Sequence, residues 1–307
     1  MKKIVFLILL ALPSPLFSQK NHVIYEIDVT LDVEEKVLEG HQTITYINRT
    51  AEDPIKELYL NLYPNAFSSR NTMMAEDMER NGNYKLAYYS EKELGWLEIK
   101  NLKVNGTPVS SSVDGTVLKI DLPGSLAAGD TVLLEMDTYL KIPKTTVRMG
   151  YREKNYTLAQ WYPQMARYEK GYGWHAHQYR LNGEFCLDFA DFHVKMTLPA
   201  NYYVGATGAL IDTIGGNNNI PDALIEKEKK GKKEKEDFKN KTLIWEAKNV
   251  RDFAWVASPD YVKVEDEWEG IKVVSIFFKG HRKRWKDSAR WGAEILKFFS
   301  EKFGKYP

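Results

Sequence analysis

Alternation of apolar and polar residues with a period of two recurs along most of this chain. It restricts the fold more than any other feature. From His22 to Leu31, Val23, Tyr25, Ile27, Val29 and Leu31 fall on one face, and Glu26, Asp28 and Thr30 on the other. That is the pattern of a strand with one buried face. Leu38 to Asn48 alternates again, with Gly40 read as a bulge, and Leu58, Leu60 and Leu62 give a third strand. Strands with one wet face pair antiparallel. Leu97 to Val104, the Asn105-Gly106 turn and the residues after it predict a hairpin. Val117 to Leu122 and Val132 to Met136 flank the turn signals Pro123-Gly124 and Gly129-Asp130. Tyr202 to Ile211, Leu243 to Ala247 and Asp252 to Ser258 continue the series. Regular short strands without helical spacing predict an all-β sandwich or saddle over residues 19–262. Ala66 to Gly95 is polar and lacks a clear period, and is expected to be a long loop.

The pattern changes after Tyr261. Ile271 to Phe278 reads as one more strand. From Arg284 the period is helical, with Trp285, Ala289, Gly292, Ile295, Leu296, Phe299 and Phe303 on a shared face. Gly304 is placed to cap this helix and Pro307 forbids its continuation. Residues 263–307 are therefore expected to begin a second, β-α domain.

The longest informative stretch runs from Tyr156 to Leu198. Phe185, Leu187 and Phe189 alternate with Glu184, Cys186 and Asp188; after Asp191 the apolar parity moves to Phe192, Val194, Met196 and Leu198. A one-residue shift changes faces, so a bulge or kink near Ala190-Asp191 is expected. Polar groups in such a segment can face a cleft, or the segment can be a sandwich corner whose tyrosines cap a core. Glu184 and Asp188, four apart on a strand, have Cα atoms about 13 Å apart, beyond the roughly 5–9.5 Å of a glycosidase carboxylate pair. His175 and His177 share a face and could bind a metal with a third ligand, but none is evident.

Composition bounds the partners. Of 307 residues, 43% are hydrophobic and 28% charged, as in soluble globular proteins, and the net charge of +1 gives no reason to expect nucleic acid or an anionic membrane. Lys2-Lys3 followed by the apolar run Ile4 to Leu12 reads as a signal peptide over residues 1–18, cleaved before Gln19. No other stretch is apolar enough to span a bilayer. The protein is therefore expected to be exported, to the periplasm or the cell exterior. The lysines from Lys227 to Lys241 are interleaved with acids, so that tract is expected to be a solvated hairpin or mobile insertion. Cys186 is the one cysteine, which excludes an intramolecular disulfide and a cysteine-based zinc site and reads as a small semi-buried thiol.

Longer motifs point to a family. Gln160-Trp161-Tyr162-Pro163-Gln164-Met165-Ala166, then Gly183-Glu184-Phe185, Asp188-Phe189-Ala190-Asp191-Phe192 and Ala206-Thr207-Gly208, resemble the N-terminal domain of M1 family zinc aminopeptidases. Pro64-Asn65-Ala66-Phe67 and Val250-Arg251-Asp252-Phe253-Ala254-Trp255 belong to the same resemblance, which covers nearly the whole mature chain. It implies a saddle-like antiparallel β-sandwich of aminopeptidase N type, followed by the start of a thermolysin-like catalytic domain. It also implies a zinc-dependent enzyme that removes residues from peptides with a free N-terminus. Such an enzyme binds zinc through His-Glu-x-x-His on a helix, and none of the six histidines here stands in that pattern. Nor is the family's Gly-x-Met-Glu segment present. The chain is therefore expected to be truncated before the zinc motif, to carry no catalytic residue and to bind no zinc by itself.

What the resemblance assigns to this part is recognition of the substrate's α-amino group, which is largely charged at neutral pH. In the family a Gln or Glu of the N-terminal domain accepts its hydrogen bonds. Gln160 matches the first Gln of that segment. The usual second position falls on Tyr162, a departure, and Gln164 can take its place if the loop is offset around Pro163. The competing readings are a non-catalytic secreted β-module that binds peptide or glycan through its aromatics, and an accessory domain of a glycoside hydrolase.

Overall fold

The computed structural model describes residues 21–49, 54–144, 147–224 and 239–306. Residues 1–18, read from the sequence as a signal peptide, Pro307 and most of the lysine-rich tract lie outside these residues.

The period-two segments form strands. The largest sheet has eight, in the order Ala209–Ile214, Asn240–Val250, Ala190–Pro199, His22–Asp32, Val37–Ile47, Thr131–Lys141, Trp96–Val104 and Thr107–Pro108. Its neighbours are antiparallel except His22–Asp32 against Ala190–Pro199, which run parallel with Tyr25 opposite Phe192. A second sheet orders Gln164–Met165, Ile55–Asn61, Val117–Leu126 and Ser111–Asp114, and a third orders Tyr203–Ala206, Trp255–Ser258, Asn155–Leu158 and Met149–Arg152. The apolar faces of all three meet in one continuous core that includes Ile27, Ile44, Leu60, Leu118, Val194 and Trp255. The all-β expectation holds, and the Asn105-Gly106 hairpin forms with both residues at positive φ (49° and 75°), as a tight primed turn requires.

Several details differ from the sequence reading. Gly40 is not a bulge, because pairing runs unbroken through Val29 opposite Gly40 on one side and Thr138 on the other. It is glycine because a Cβ would lie 2.0 Å from the Asp28 carbonyl oxygen. Tyr202 to Ile211 is two strands in two sheets, broken at Thr207-Gly208. Ala66 to Gly95 is not a bare loop. It holds helix α1 at Met73–Arg80, whose Thr72 cap accepts the Ala75 N–H and whose Met74, Ala75 and Met78 are buried, and short helical turns at Leu86–Tyr88 and Glu91–Glu93. Gly183 to Phe189, expected as an alternating strand, forms none, with Leu187 buried and Phe189 exposed beside Arg251. The strand starts at Ala190. A register shift does fall between Ala190 and Phe192, and the extra residue is on the partner strand. Asn249 there adopts φ 54°, and its N–H donates to Asp191 Oδ1 at 2.7 Å.

The C-terminal segment packs differently. Strands Tyr261–Trp268 and Ile271–Phe278 form a hairpin, followed by α2 (Arg282–Trp285) and α3 (Ser288–Phe303), which ends at Gly304. A small separate core joins Ala223, Val262, Val264, Phe277 and Ala289. The buried face of α3 is Ala289 and Ala293. The rest of the shared apolar face, through Ile295, Phe299 and Phe303, is exposed.

Candidate functional site

The loop between Asn155–Leu158 and Gln164–Met165 is held on both sides. Gln160 turns it with φ 53°. Trp161 is buried and its Nε1–H donates to the Phe253 carbonyl at 3.0 Å. The Pro163 carbonyl accepts from Gln42 Nε2 at 2.8 Å, and Met165 N–H donates to Tyr25 Oη at 2.9 Å. Gln164 then pairs with Asn61 in the second sheet. These contacts tie the loop to residues more than 90 positions away in sequence.

Three side chains of the loop converge on one carboxylate. Gln160 Nε2 donates to Asp252 Oδ2 at 2.7 Å, Gln164 Nε2 to Asp252 Oδ1 at 2.9 Å, and Tyr162 Oη to Asp252 Oδ1 at 3.0 Å. The Phe253 N–H adds a fourth donor at 2.8 Å. Aromatic rings wall the cluster: Tyr162 lies 5.3 Å from Tyr25 and 5.6 Å from Phe192, both edge-on, and Tyr25 stacks on Phe192 at 4.7 Å. Burial pushes the Asp252 carboxyl above the usual carboxylate range, opposed by its hydrogen bonds from Tyr162 and Gln160, by the Phe253 N–H and by the charge of Arg148. Burial and the Asp252 charge together hold the Tyr162 phenol well above its ordinary value. Tyr25 is raised as well, chiefly by burial.

Both glutamines identified from the sequence are thus brought to the same place, and Tyr162, which interrupts the expected pattern, shares their acceptor. An amide has two donor hydrogens at nitrogen and an acceptor oxygen, whereas an ionised carboxylate only accepts. Asp252 therefore dictates which end of each amide faces it. The Oε1 atoms of Gln160 and Gln164 remain buried and without a hydrogen-bond partner. Each such orphaned acceptor costs roughly 1–3 kcal/mol. An apolar groove of about 410 Å³ is lined by Leu158, Ala159, Ala206, Thr207, Trp255 and, from the C-terminal hairpin, Ile276, and by none of the cluster residues. The sequence reading assigned Asp252 no role. The available signal was an acid set between Val250 and the apolar run Phe253-Ala254-Trp255.

The other candidates are committed elsewhere. His175 Nε2 lies 3.0 Å from Glu169 and its ring stacks on Tyr172, while His177 faces the Tyr172 hydroxyl at 3.4 Å. Asp188 lies 3.6 Å from Arg167, Asp191 pairs with His22 at 3.2 Å, and Glu184 is exposed. Cys186 is partly buried, 3.7 Å from the Arg167 guanidinium. Among the described residues, no group of three or more His, Cys, Asp or Glu is placed to hold a metal ion. Zinc does not fit these residues, and no step of a metal-assisted reaction is assigned to them.

No family model and no curated protein matches the sequence. Solved structures do match. A two-domain M1 zinc metallopeptidase variant bound to L-tryptophan has 17% identity and a TM-score of 0.53, with 94% of this chain and 55% of that one covered. The M1 zinc metallopeptidase from Deinococcus radiodurans has 16% identity and a TM-score of 0.53, over 94% and 54% of the two chains. A variant of the Deinococcus radiodurans metallopeptidase bound to a Tyr-Ser-Ala substrate matches at 16% identity and TM-score 0.53, over 94% and 55%. The chain therefore spans about 55% of the length of the structures it matches. At this identity the likeness is one of architecture, and the fold of this chain is the one these M1 zinc metallopeptidases share.

Proposed function

We propose that the chain is the substrate-recognising N-terminal portion of an exported M1-type zinc aminopeptidase, and that Gln160 and Gln164 accept hydrogen bonds from the α-ammonium group of a peptide. The observation that carries this reading is the pair of glutamine amides held by nitrogen on Asp252, with both carbonyl oxygens unpartnered. Oxygen acceptors beside a carboxylate are suited to a cation with several N–H donors. Export rests on the leader at residues 1–18. The division of labour assigns residues 19–262 to recognition and scaffold, and residues 263–307 to the start of the catalytic domain.

Binding and turnover test different parts of this reading. By calorimetry, the 307-residue chain should bind a free-amine tripeptide such as Ala-Ala-Ala in preference to its N-acetylated form. It should hold no stoichiometric zinc and should not hydrolyse an alanyl anilide. Equal binding of the two peptides would remove the amine-recognition reading and favour a non-catalytic module for peptide or glycan. Stoichiometric zinc, with turnover stopped by a chelator, would reveal a catalytic site in residues that this reading leaves without one.

A further inference from the structure

Amide side chains are ambiguous recognition elements, because a half-turn about the last torsion exchanges donor for acceptor. A site that must accept from an ammonium group has to prevent that exchange. Here the chain supplies a means of doing so from a segment remote in sequence. Asp252 sits between strands Asn240–Val250 and Trp255–Ser258 and is 92 and 88 residues from the two glutamines it contacts. It uses one oxygen for Gln160 and the other for Gln164, Tyr162 and the Phe253 N–H. Flipping either amide would set a carbonyl oxygen against a carboxylate oxygen at under 3 Å, exchanging a charge-assisted hydrogen bond for a repulsion.

We propose that Asp252 is the positioning residue of the amine site: it fixes both glutamine amides with their oxygens free, and its own charge makes the cluster selective for a cationic N-terminus over a blocked one. This rests on the amine-recognition reading above and extends it to a residue that needs no contact with the substrate. The tyrosines explain why a carboxylate, and not a second amide, holds this position. Tyr162 Oη donates to it, and burial keeps that phenol protonated and so a donor. A neutral asparagine keeps the shape but presents a nitrogen to one set of donors, so one of the three side chains must turn away.

The test uses the 307-residue chain with 15N-labelled glutamine. The side-chain NH₂ signals of Gln160 and Gln164, assigned by Gln160→Ala and Gln164→Ala, report directly on the contact with Asp252. The probes are leucinamide and N-acetyl-leucinamide. Wild type is expected to bind the free amine at least tenfold more tightly, with both signals shifting. Asp252→Asn is expected to lose most of that preference while N-acetyl-leucinamide binding and the circular dichroism spectrum stay as they were, and Asp252→Glu to restore part of it.

A measurement on wild type alone covers the case in which Asp252→Asn does not fold. The other ionisable groups around Asp252 are Arg148, Tyr25, Tyr63 and Tyr162. The glutamine NH₂ signals single out Asp252 among these groups, because both amides donate to its carboxylate. The free-amine preference should therefore fall on acidification, in step with the movement of both NH₂ signals as Asp252 takes up a proton. If Asp252→Asn keeps the wild-type preference while either glutamine variant loses it, or if the preference is flat with pH while the NH₂ signals titrate, the positioning role is wrong and the amine reading survives. If wild type shows no preference, or neither glutamine variant changes it, the amine reading fails and this proposal fails with it.

Discussion

The large β-region and the C-terminal hairpin with its helices are built from the same patterns, yet they bury apolar surface very differently. In the large region the apolar faces of the central strands meet one another, and Val194, Ile44, Leu60 and Leu134 are wholly inaccessible to solvent, while the edge strands Ser111–Asp114 and Ala209–Ile214 stay exposed. In the C-terminal unit the core is five residues, and Phe298, Phe299 and Phe303 on α3 are 54%, 53% and 78% exposed. A periodic sequence determines that a helix or strand has an apolar face. Whether that face is covered depends on what lies opposite it. Here α3 turns its small residues, Ala289 and Ala293, to the hairpin and its aromatic stripe to solvent, because Gly292 and the two alanines permit close approach to Val273.

The same substitution in both cores measures this difference. Val194→Ala and Val264→Ala remove identical atoms from residues that are 0% and 2% exposed. Loss of two methyl groups forfeits about 1.6 kcal/mol of transfer free energy, and the rest of the cost depends on how far the surroundings can collapse. Val194 lies in the centre of the eight-stranded sheet, between the parallel and antiparallel partners Ile27 and Trp245. Its replacement should cost about 2–4 kcal/mol and lower the main urea transition. Val264→Ala should cost about 1–2 kcal/mol, seen chiefly as faster amide exchange in Tyr261–Trp268 and α3. Equal effects on one cooperative transition would break the comparison and make the two cores a single folding unit.

A second prediction comes from a segment whose structure the sequence did not reveal. Helix α1 is only eight residues long, and its sequence, Met73 to Arg80, carries four charges. Two turns are too short for a 3.6-residue period to stand out, and Asp77 sits on the buried side where an apolar residue would be expected. Its carboxylate is satisfied by Arg180, at 2.6 and 2.8 Å, and by the Leu181 N–H at 3.1 Å. That contact, 103 residues away in sequence, has no local signature. Asp77→Ala should cost about 1–3 kcal/mol, read from the same urea transition as Val194→Ala. Arg180→Ala should cost less, because that guanidinium is 43% exposed and recovers hydration. If Arg180→Ala were the more damaging, the pair would not be anchoring α1 to the large region.

The candidate site divides the same way. Strand positions were legible because their period is short and repeats, and the two glutamines were legible through the motif Gln160-Trp161-Tyr162-Pro163-Gln164. Their common partner was not. Nothing in the spacing of Asp252 links it to a loop some 90 residues earlier, and the parallel pairing of His22–Asp32 with Ala190–Pro199, which joins segments distant in sequence in one sheet, leaves no trace in either strand's alternation. Long-range pairing decides which polar residues meet, and a single sequence records it only as unexplained acids and amides within apolar runs. Asp252 among Val250, Phe253 and Trp255, and Gln42 in an alternating strand, are two such residues.

The smallest stability effect is expected where apolar residues are most conspicuous. Phe298→Ser and Phe303→Ser remove large rings from α3, but those rings are already 54% and 78% exposed. They contribute little burial, and each change should fall within about 0.5 kcal/mol in the urea transition. Their cost is of another kind. Phe299 stacks on Phe303 at 5.6 Å and meets Phe298 edge-on at 5.7 Å, so the exposed stripe is contiguous, and contiguous apolar surface promotes association. Sedimentation velocity should show the wild-type chain associating as concentration rises, and the double variant Phe298→Ser/Phe303→Ser remaining monomeric over the same range. Val264→Ala, by contrast, leaves the stripe in place and should not reduce association. If the double variant instead destabilised the C-terminal unit as strongly as Val264→Ala while wild type stayed monomeric, the stripe would be packed in solution, and the contrast between a closed large region and an open C-terminal unit would fall.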